Sequence, residues 1–469
     1  MFPRSLYPLL LSGLVVGSSP LASQQPAGAG AGAGAAVLQA ILHDAEPPDY
    51  LAHIVAMALP PIHLPATPVG EVPLPANGVT TFASQYASND YPWRGIWRDE
   101  HLPDYLDDVI PPSLQPIDLP PPPVGETPAV VRGVYLNAWV FGGRRFYDLV
   151  RLADTTEVNS FVIDVKDGTG FLTYRSSVPI AIAIGANGLV RARDVRQRLA
   201  FLQERGIHPV ARIVVAKDPL LANGKPEWAV RHVDGGLWKD RLGHHWVDAY
   251  RDSVWLYAAD IAREAVLMGF AEIQFDYIRF PDEPAEMLAK AIFPARRDGQ
   301  SRRNAIATNL AKVRDRVKDL GVPLTVDVFG LTTSAKSDMG IGQYWEDLSS
   351  LADVVLPMVY PSHYYRGAYG LSFPNAEPYA VVSRALAAGV KRNEKVPNAA
   401  RIRPWLQSFS IRRVRYGPKE IRAQINATYD VGLTDWVLWN ASGRYPAGAF
   451  LPSSASGLAP PQLRPKIRE

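Results

Sequence analysis

The 469-residue sequence predicts an α/β fold: a (β/α)8 TIM-type barrel preceded by a Pro-rich, largely irregular N-terminal extension. Three observations carry this expectation. From about Val130 to Phe450, apolar strand-like runs alternate with amphipathic helical stretches, the texture of parallel βαβ units. Eight such runs fit into about 310 residues, the size of a closed barrel. The front of the chain has a different texture, because the 42 Pro are spread unevenly and crowd into it.

The expected strands are Val131–Trp139, Ser160–Asp167, His208–Lys217, Ala271–Phe280, Pro323–Gly330, Asp353–Tyr360, Arg401–Phe409 and Thr434–Asn440. Helical patterns fall between them, notably Ala192–Arg205, Ser253–Met268, Arg302–Leu320, Ala376–Ala388 and Pro418–Val431. Gly206, Gly269, Gly321 and Gly432 stand between a helix and the next strand, where a helix-ending glycine is expected. A doubly wound open sheet is the competing architecture. It lacks support, since Phe141-Gly142-Gly143 does not supply the glycine-rich dinucleotide fingerprint after the first strand.

Composition narrows the chemistry. The chain is 47% hydrophobic and 20% charged, enough for a large core. Lys and Arg total 49 against 46 Asp and Glu, so no nucleic-acid partner is expected. The absence of Cys excludes disulfides, thiolate metal sites and Cys nucleophiles. His244 and His245 are adjacent, and no His pair has zinc spacing, so no metal is expected. Neither a Gly-x-Ser-x-Gly elbow nor a phosphate loop occurs, and no cofactor is expected.

Residues 1–22 have the pattern of a signal peptide: Arg4, an apolar run from Leu6 to Val16, then small residues with cleavage near Ser19 or Ala22. This predicts export, to the periplasm, the cell surface or the medium. An Ala–Gly spacer follows, and residues 23–129 form the extension. Within it, segments 44–73 and 99–128 are duplicates offset by 55 residues: Asp49-Tyr50-Leu51 recurs as Asp104-Tyr105-Leu106, and Pro68-Val69-Gly70-Glu71 as Pro123-Val124-Gly125-Glu126. The duplication reads as a spacer, or as a docking peptide presented twice that contacts the cell envelope. The barrel is expected over 130–450 and a tail over 451–469.

In such a barrel the C-terminal strand ends carry the chemistry. Those ends hold Asn137 and Trp139, then Asp164, Lys166 and Asp167, then Lys217 and Asp218, then Asp276 and Arg279, then Asp327, Tyr360, Gln407, Trp439 and Asn440. Alternation along Ile273–Pro281 puts Gln274, Asp276 and Ile278 on one side, and Phe275, Tyr277 and Arg279 on the other. Asp276 and Asp327, on neighbouring strands about 4.8 Å apart, are the expected catalytic pair for glycoside hydrolysis. One would act protonated as general acid, the other ionised as nucleophile or base. The competing reading of Asp276 is a salt bridge to a cation such as Lys217 that closes the barrel. Asp164 and Lys166 share parity and are expected to pair or to meet substrate. Asp282 and Glu283 are alternative acids.

The expected substrate-binding set is Asp164, Lys166, Lys217, Arg279, Glu283, Tyr360, His363, Gln407, Trp439 and Asn440. Aromatics around Pro361, with Trp238, Trp246 and Trp439, suit stacking on sugar rings or, alternatively, core packing.

Phe275-Asp276-Tyr277-Ile278-Arg279-Phe280-Pro281, with Asp164–Asp167, Asp327–Gly330 and Met358–Tyr364, resembles a bacterial domain family filed as a domain of unknown function and described as glycoside hydrolases. The resemblance spans roughly Arg132 to Tyr445 and implies a TIM-type barrel, a glycan substrate and Asp276 as the strand-four catalytic carboxylate. Strand seven ends at Gln407, without the Glu that many barrel glycosidases use there, which favours a strand-four and strand-five pair. The leading expectation is an exported glycosidase acting on a bacterial or environmental polysaccharide. The alternatives are a barrel that binds glycan at the cell surface without cutting it, and a hydrolase or lyase of another substrate on the same fold.

Overall fold

The computed structural model describes residues 127–411 and 414–453. The leader, the Ala–Gly spacer, the duplication and the tail beyond residue 453 lie outside the described residues.

Eight parallel strands form the centre: β1 (Arg132–Leu136), β2 (Ser160–Lys166), β3 (His208–Val214), β4 (Glu272–Asp276), β5 (Leu324–Phe329), β6 (Val354–Met358), β7 in two pieces (Arg401–Ile402 and Trp405–Gln407) and β8 (Trp436–Trp439). β8 pairs with β1 through Arg132 and Trp436, while Trp405 of β7 pairs with Met358 of β6, so the sheet closes on itself. The main helices are α1 (Arg145–Thr155), α2 (Val195–Gln203), α3 (Asp252–Met268), α4 (Arg302–Val317), α5 (Trp345–Leu351), α6 (Pro378–Asn393) and α7 (Pro418–Asp430). This is the (β/α)8 barrel the sequence predicts. Each expected strand is present but shorter at one or both ends, and the seventh is interrupted between Ile402 and Trp405.

Two helices escape the sequence reading, α1 and α5. Their buried stripes are narrow, with Phe146, Leu149, Val150 and Ala153 on α1, and Trp345 and Leu348 on α5. The helix-ending glycines behave as expected: Gly206, Gly269, Gly321 and Gly432 all take positive φ, where other residues are strained.

Side chains sort into two shells by the two-residue period of the strands. Phe161, Ile163, Phe275 and Val326 face outward and pack against Leu199, Ile261, Leu310 and Leu386 of the helices. Val162, Val210, Leu356, Trp405 and Val437 face the axis and form a separate inner core. Above and below that apolar middle, the axis is ionic. At the N-terminal end Glu272 meets His208 and Arg403, and at the C-terminal end Arg212 meets Asp164 and Asp276.

Two expectations about alternation fail, each at a backbone irregularity. A register shift between Asp164 and Lys166 breaks the parity they were expected to share. On β4 the strand stops at Asp276, and Tyr277 adopts a left-handed backbone with φ of 52°, so the two-sided sorting of Tyr277, Ile278 and Arg279 does not apply.

Candidate active site

Arg212 organises the C-terminal end of the barrel. It sits on β3 beside Asp164 of β2 and Gln274 of β4 in the sheet register, with Val210 below it on the inward face. Its Nη1 donates to Asp164 Oδ1 at 2.5 Å, its Nη2 donates to Asp276 Oδ2, and its Nε lies 3.2 Å from the same Asp276 oxygen. Its Nε also faces Asp327 Oδ2 at 3.7 Å. Three carboxyl groups from three strands therefore converge on one guanidinium. Asp276 and Asp327 each lie two residues beyond the register pair Gln274–Thr325, which puts them at one level on adjacent strands, as the sequence predicts.

The three carboxyls are not equivalent. Asp327 is wholly enclosed: Trp405 Nε1 donates to Oδ1 at 2.6 Å, and Gln274 Nε2 approaches both oxygens at 2.9 Å. Burial, then the neighbouring charge of Asp276, pushes its carboxyl well above the usual range. Asp164 accepts from Tyr135 Oη and from Arg212; burial raises it to about 6 against the pull of the guanidinium. Asp276 is also buried but is the least enclosed of the three, 5% exposed.

The turn after β4 fixes Asp276. The Tyr277 N–H donates to Asp276 Oδ1 at 2.5 Å, and this contact is made with Tyr277 in its left-handed conformation. A non-glycine residue held there costs about 1–3 kcal/mol and persists only where its surroundings enforce it. Aromatic rings frame the mouth. Trp439 stacks on Tyr135 with centroids 3.9 Å apart, and Arg212 lies 5.3 Å from the Trp439 ring. Tyr360 caps the inner core near the β6 end, edge-on to Phe409.

Residues 133–445 match the family described as "Putative glycosyl hydrolase domain". The chain belongs to this family. No curated relative matches it. Among solved structures it is similar to a hypothetical protein from Ruminiclostridium thermocellum, at 38% identity over 42% of this chain and 97% of that one, with a TM-score of 0.38. It is also similar to the glycoside hydrolase domain of PgaB (BpsB) from Bordetella bronchiseptica, at 14% identity over 66% of this chain and 94% of that one, with a TM-score of 0.48. A third is an alpha-galactosidase from Thermus thermophilus, at 16% identity over 71% of this chain and 61% of that one, with a TM-score of 0.40.

Within this glycosyl hydrolase domain, the expected substrate-binding residues divide. Tyr360 and Trp439 frame the inner core, and Lys217 stands half-buried beside Tyr277, its ammonium 5.7 Å from the ring. Arg279 is held among Trp246, Tyr277 and Phe329, 4.6–5.1 Å from their ring centres. His363 is exposed on the β6 loop, its Nδ1 3.0 Å from Ser362 Oγ. Glu283 sits 3.7 Å from Arg241, its carboxyl raised by burial.

Other expected contacts are committed elsewhere. Lys166 does not pair with Asp164; the register shift turns it outward, where its ammonium makes a buried 2.6 Å bond to Asp218 under the Tyr257 ring. Gln407 is fully buried and stitches loops together, accepting from the Ser362 N–H at 3.1 Å and donating to the Phe409 carbonyl at 2.9 Å. Asn440 donates to the carbonyls of Ser408 and Arg444 and accepts from Ser442, which folds the β8 loop. Trp238 and Trp246 are core residues bonded to the Met287 carbonyl and to Asp240. Lys217 is also not the cation that holds Asp276; Arg212 is.

Arg212 itself is absent from the sequence-based site. Its signal was present: an arginine in the middle of the apolar run His208–Ala216 needs buried acids to compensate it. Trp405 and Tyr135 carried no comparable signal, since aromatics in strands usually pack.

Proposed function

We propose that the protein hydrolyses glycosidic bonds in a polysaccharide, with Asp276 as the carboxyl group that meets the sugar and Asp327 as the second acid of the pair. The observation that carries this reading is the convergence of both acids on Arg212 at the C-terminal end of the barrel, where Asp276 is the least enclosed of the carboxyls around it. Glycoside hydrolysis needs two carboxyls in different protonation states. Here Arg212 holds Asp276 through two nitrogens, while burial pushes the Asp327 carboxyl well above the usual range and suits it to the protonated role. Asp276 is then the nucleophile toward the anomeric carbon or the base toward water, and Arg212 orients it.

Trp439, stacked on Tyr135, offers an aromatic face at the mouth to the apolar side of a sugar ring. Export through the N-terminal leader, and a bacterial or environmental glycan as substrate, belong to this proposal. Envelope contact through the duplicated Pro-rich segments belongs to it as well.

The test is a panel of bacterial and plant polysaccharides scored for new reducing ends. Wild-type protein is expected to release them from at least one glycan, and Asp276→Asn to lower that rate by about 10²–10⁴-fold while folding normally. Glycan binding with no reducing ends released would favour a non-cutting barrel instead.

A further inference from the structure

Outside the barrel axis the molecule carries a cavity of about 1100 Å³, lined by the β2–α2 loop, α2 and the end of α3. Its charge is one-sided. Arg175, Arg191, Arg193 and Arg196 line it, and no Asp or Glu does. Asp194, between two of them in sequence, is bonded instead to Arg198 at 2.8 Å. Glu264, beneath the loop, accepts from the backbone and hydroxyl of Ser177. Arg175, Arg193 and Arg196 are exposed and make no ion pair among the described residues. Arg191 sits over Trp139 with its guanidinium carbon 3.4 Å from the ring centre, and Trp139 is itself 61% exposed. Leu189 and Met268 add apolar surface to the same wall.

Of the four guanidinium groups only Arg191 feels a nearby acid, Asp167, so the cluster keeps a cationic excess that will draw an anion, and its planar forks match carboxylates in bidentate fashion. Apolar surface beside them suits the C–H faces of sugar rings. We infer that this groove holds a carboxylate-bearing glycan, a polyuronate segment, outside the cleavage site. The inference rests on the glycan reading of the family but not on which residue cleaves. The opposing candidate is the chain's own front, since residues 44–126 carry 12 Asp and Glu against two Arg.

The experiment uses the full chain bearing Asp276→Asn, so that nothing is degraded, and measures binding to polygalacturonate, neutral dextran and dextran sulfate. Polygalacturonate is expected to bind at least tenfold more tightly than dextran, and its affinity to fall as salt rises. Arg193→Glu with Arg196→Glu is expected to lower polygalacturonate binding at least tenfold with an unchanged circular dichroism spectrum. The Gln pair serves if the Glu pair does not fold. Equal affinity for dextran sulfate would mean general polyanion attraction and overturn the inference. Binding that appears only after Asp104, Asp107 and Asp108 are changed to Asn would identify the acidic extension as the occupant, and also overturn it. Should Asp276→Asn leave hydrolysis intact, the catalytic proposal fails while the groove result stands.

Discussion

The two ends of the barrel axis both bury ionic side chains, yet they are built to opposite plans. At the N-terminal end Arg403 grips Glu272 with two nitrogens, at 2.6 and 3.2 Å, and His208 adds a third contact at 3.1 Å. Burial opposes the charge on Glu272, but Arg403 and His208 outweigh it and hold the carboxyl at about 2. At the C-terminal end one guanidinium serves three carboxyls, and two of them are raised rather than lowered. One end is over-supplied with donors and the other under-supplied. A compensated cluster serves stability, and an under-compensated one stores the unequal protonation that acid–base chemistry uses.

Removing Arg212 should break the contrast most severely. Arg212→Met leaves three buried carboxyls without a cation, so a stability loss of about 3–5 kcal/mol is expected. Turnover should fall by at least about 10²-fold, because nothing then aligns Asp276. The stability deficit, read from urea unfolding, should shrink at pH 4–5 as the carboxyls take up protons. A variant that melts and turns over like wild type would remove Arg212 from the centre of the site.

Glu272→Gln tests the other end. It leaves the fully buried Arg403 with only the more distant Asp435, 3.9 Å from its Nε, and should cost about 3 kcal/mol at pH 7. Turnover of the folded protein should stay at the wild-type level, since the inner apolar core separates Glu272 from Asp276. The sign with pH follows from the lowered carboxyl. Its stabilisation is complete above about 4.5 and is lost as pH falls toward 2, so variant and wild type should converge in strong acid. A loss of turnover in folded Glu272→Gln would merge the two ends into one functional unit.

The contrast also explains what the sequence could reveal. The eight-strand architecture was legible because inward and outward apolar positions repeat with period two and glycines mark the helix ends. Asp276 and Asp327 were legible as polar interruptions at strand ends. The bonding pattern was not, because one register shift sends Lys166 to Asp218, and one left-handed residue, Tyr277, ends β4 early. Neither irregularity announces itself in residue type, since Tyr is uncommon at positive φ. The loop bonds of Gln407 and Asn440 were hidden for a related reason. A polar residue at a strand end can serve the substrate or the loop, and only the loop's carbonyl positions show that both amides are already spent.

The finest test of the contrast is the pH dependence of Asp164. Its carboxyl is raised to about 6 in the folded protein from an ordinary 3.8, so between those values the folded state holds the extra proton. Stability contributed through this group therefore rises as pH falls through 6 and is complete below about 3.8; above pH 6 the cost of burying its charge is carried in full. The size of the effect is about 3 kcal/mol at most. Asp164→Asn keeps the shape and removes the titration, so urea unfolding at pH 7, 5.5 and 4.5 should show a flatter profile than wild type across that window. The direction is opposite to that of Glu272, whose contribution weakens in acid, and this opposition separates the two ends within one protein. Coincident profiles for Asp164→Asn and wild type would mean that Arg212 satisfies Asp164 as fully as Arg403 satisfies Glu272, leaving the acid surplus at the mouth to Asp276 and Asp327 alone.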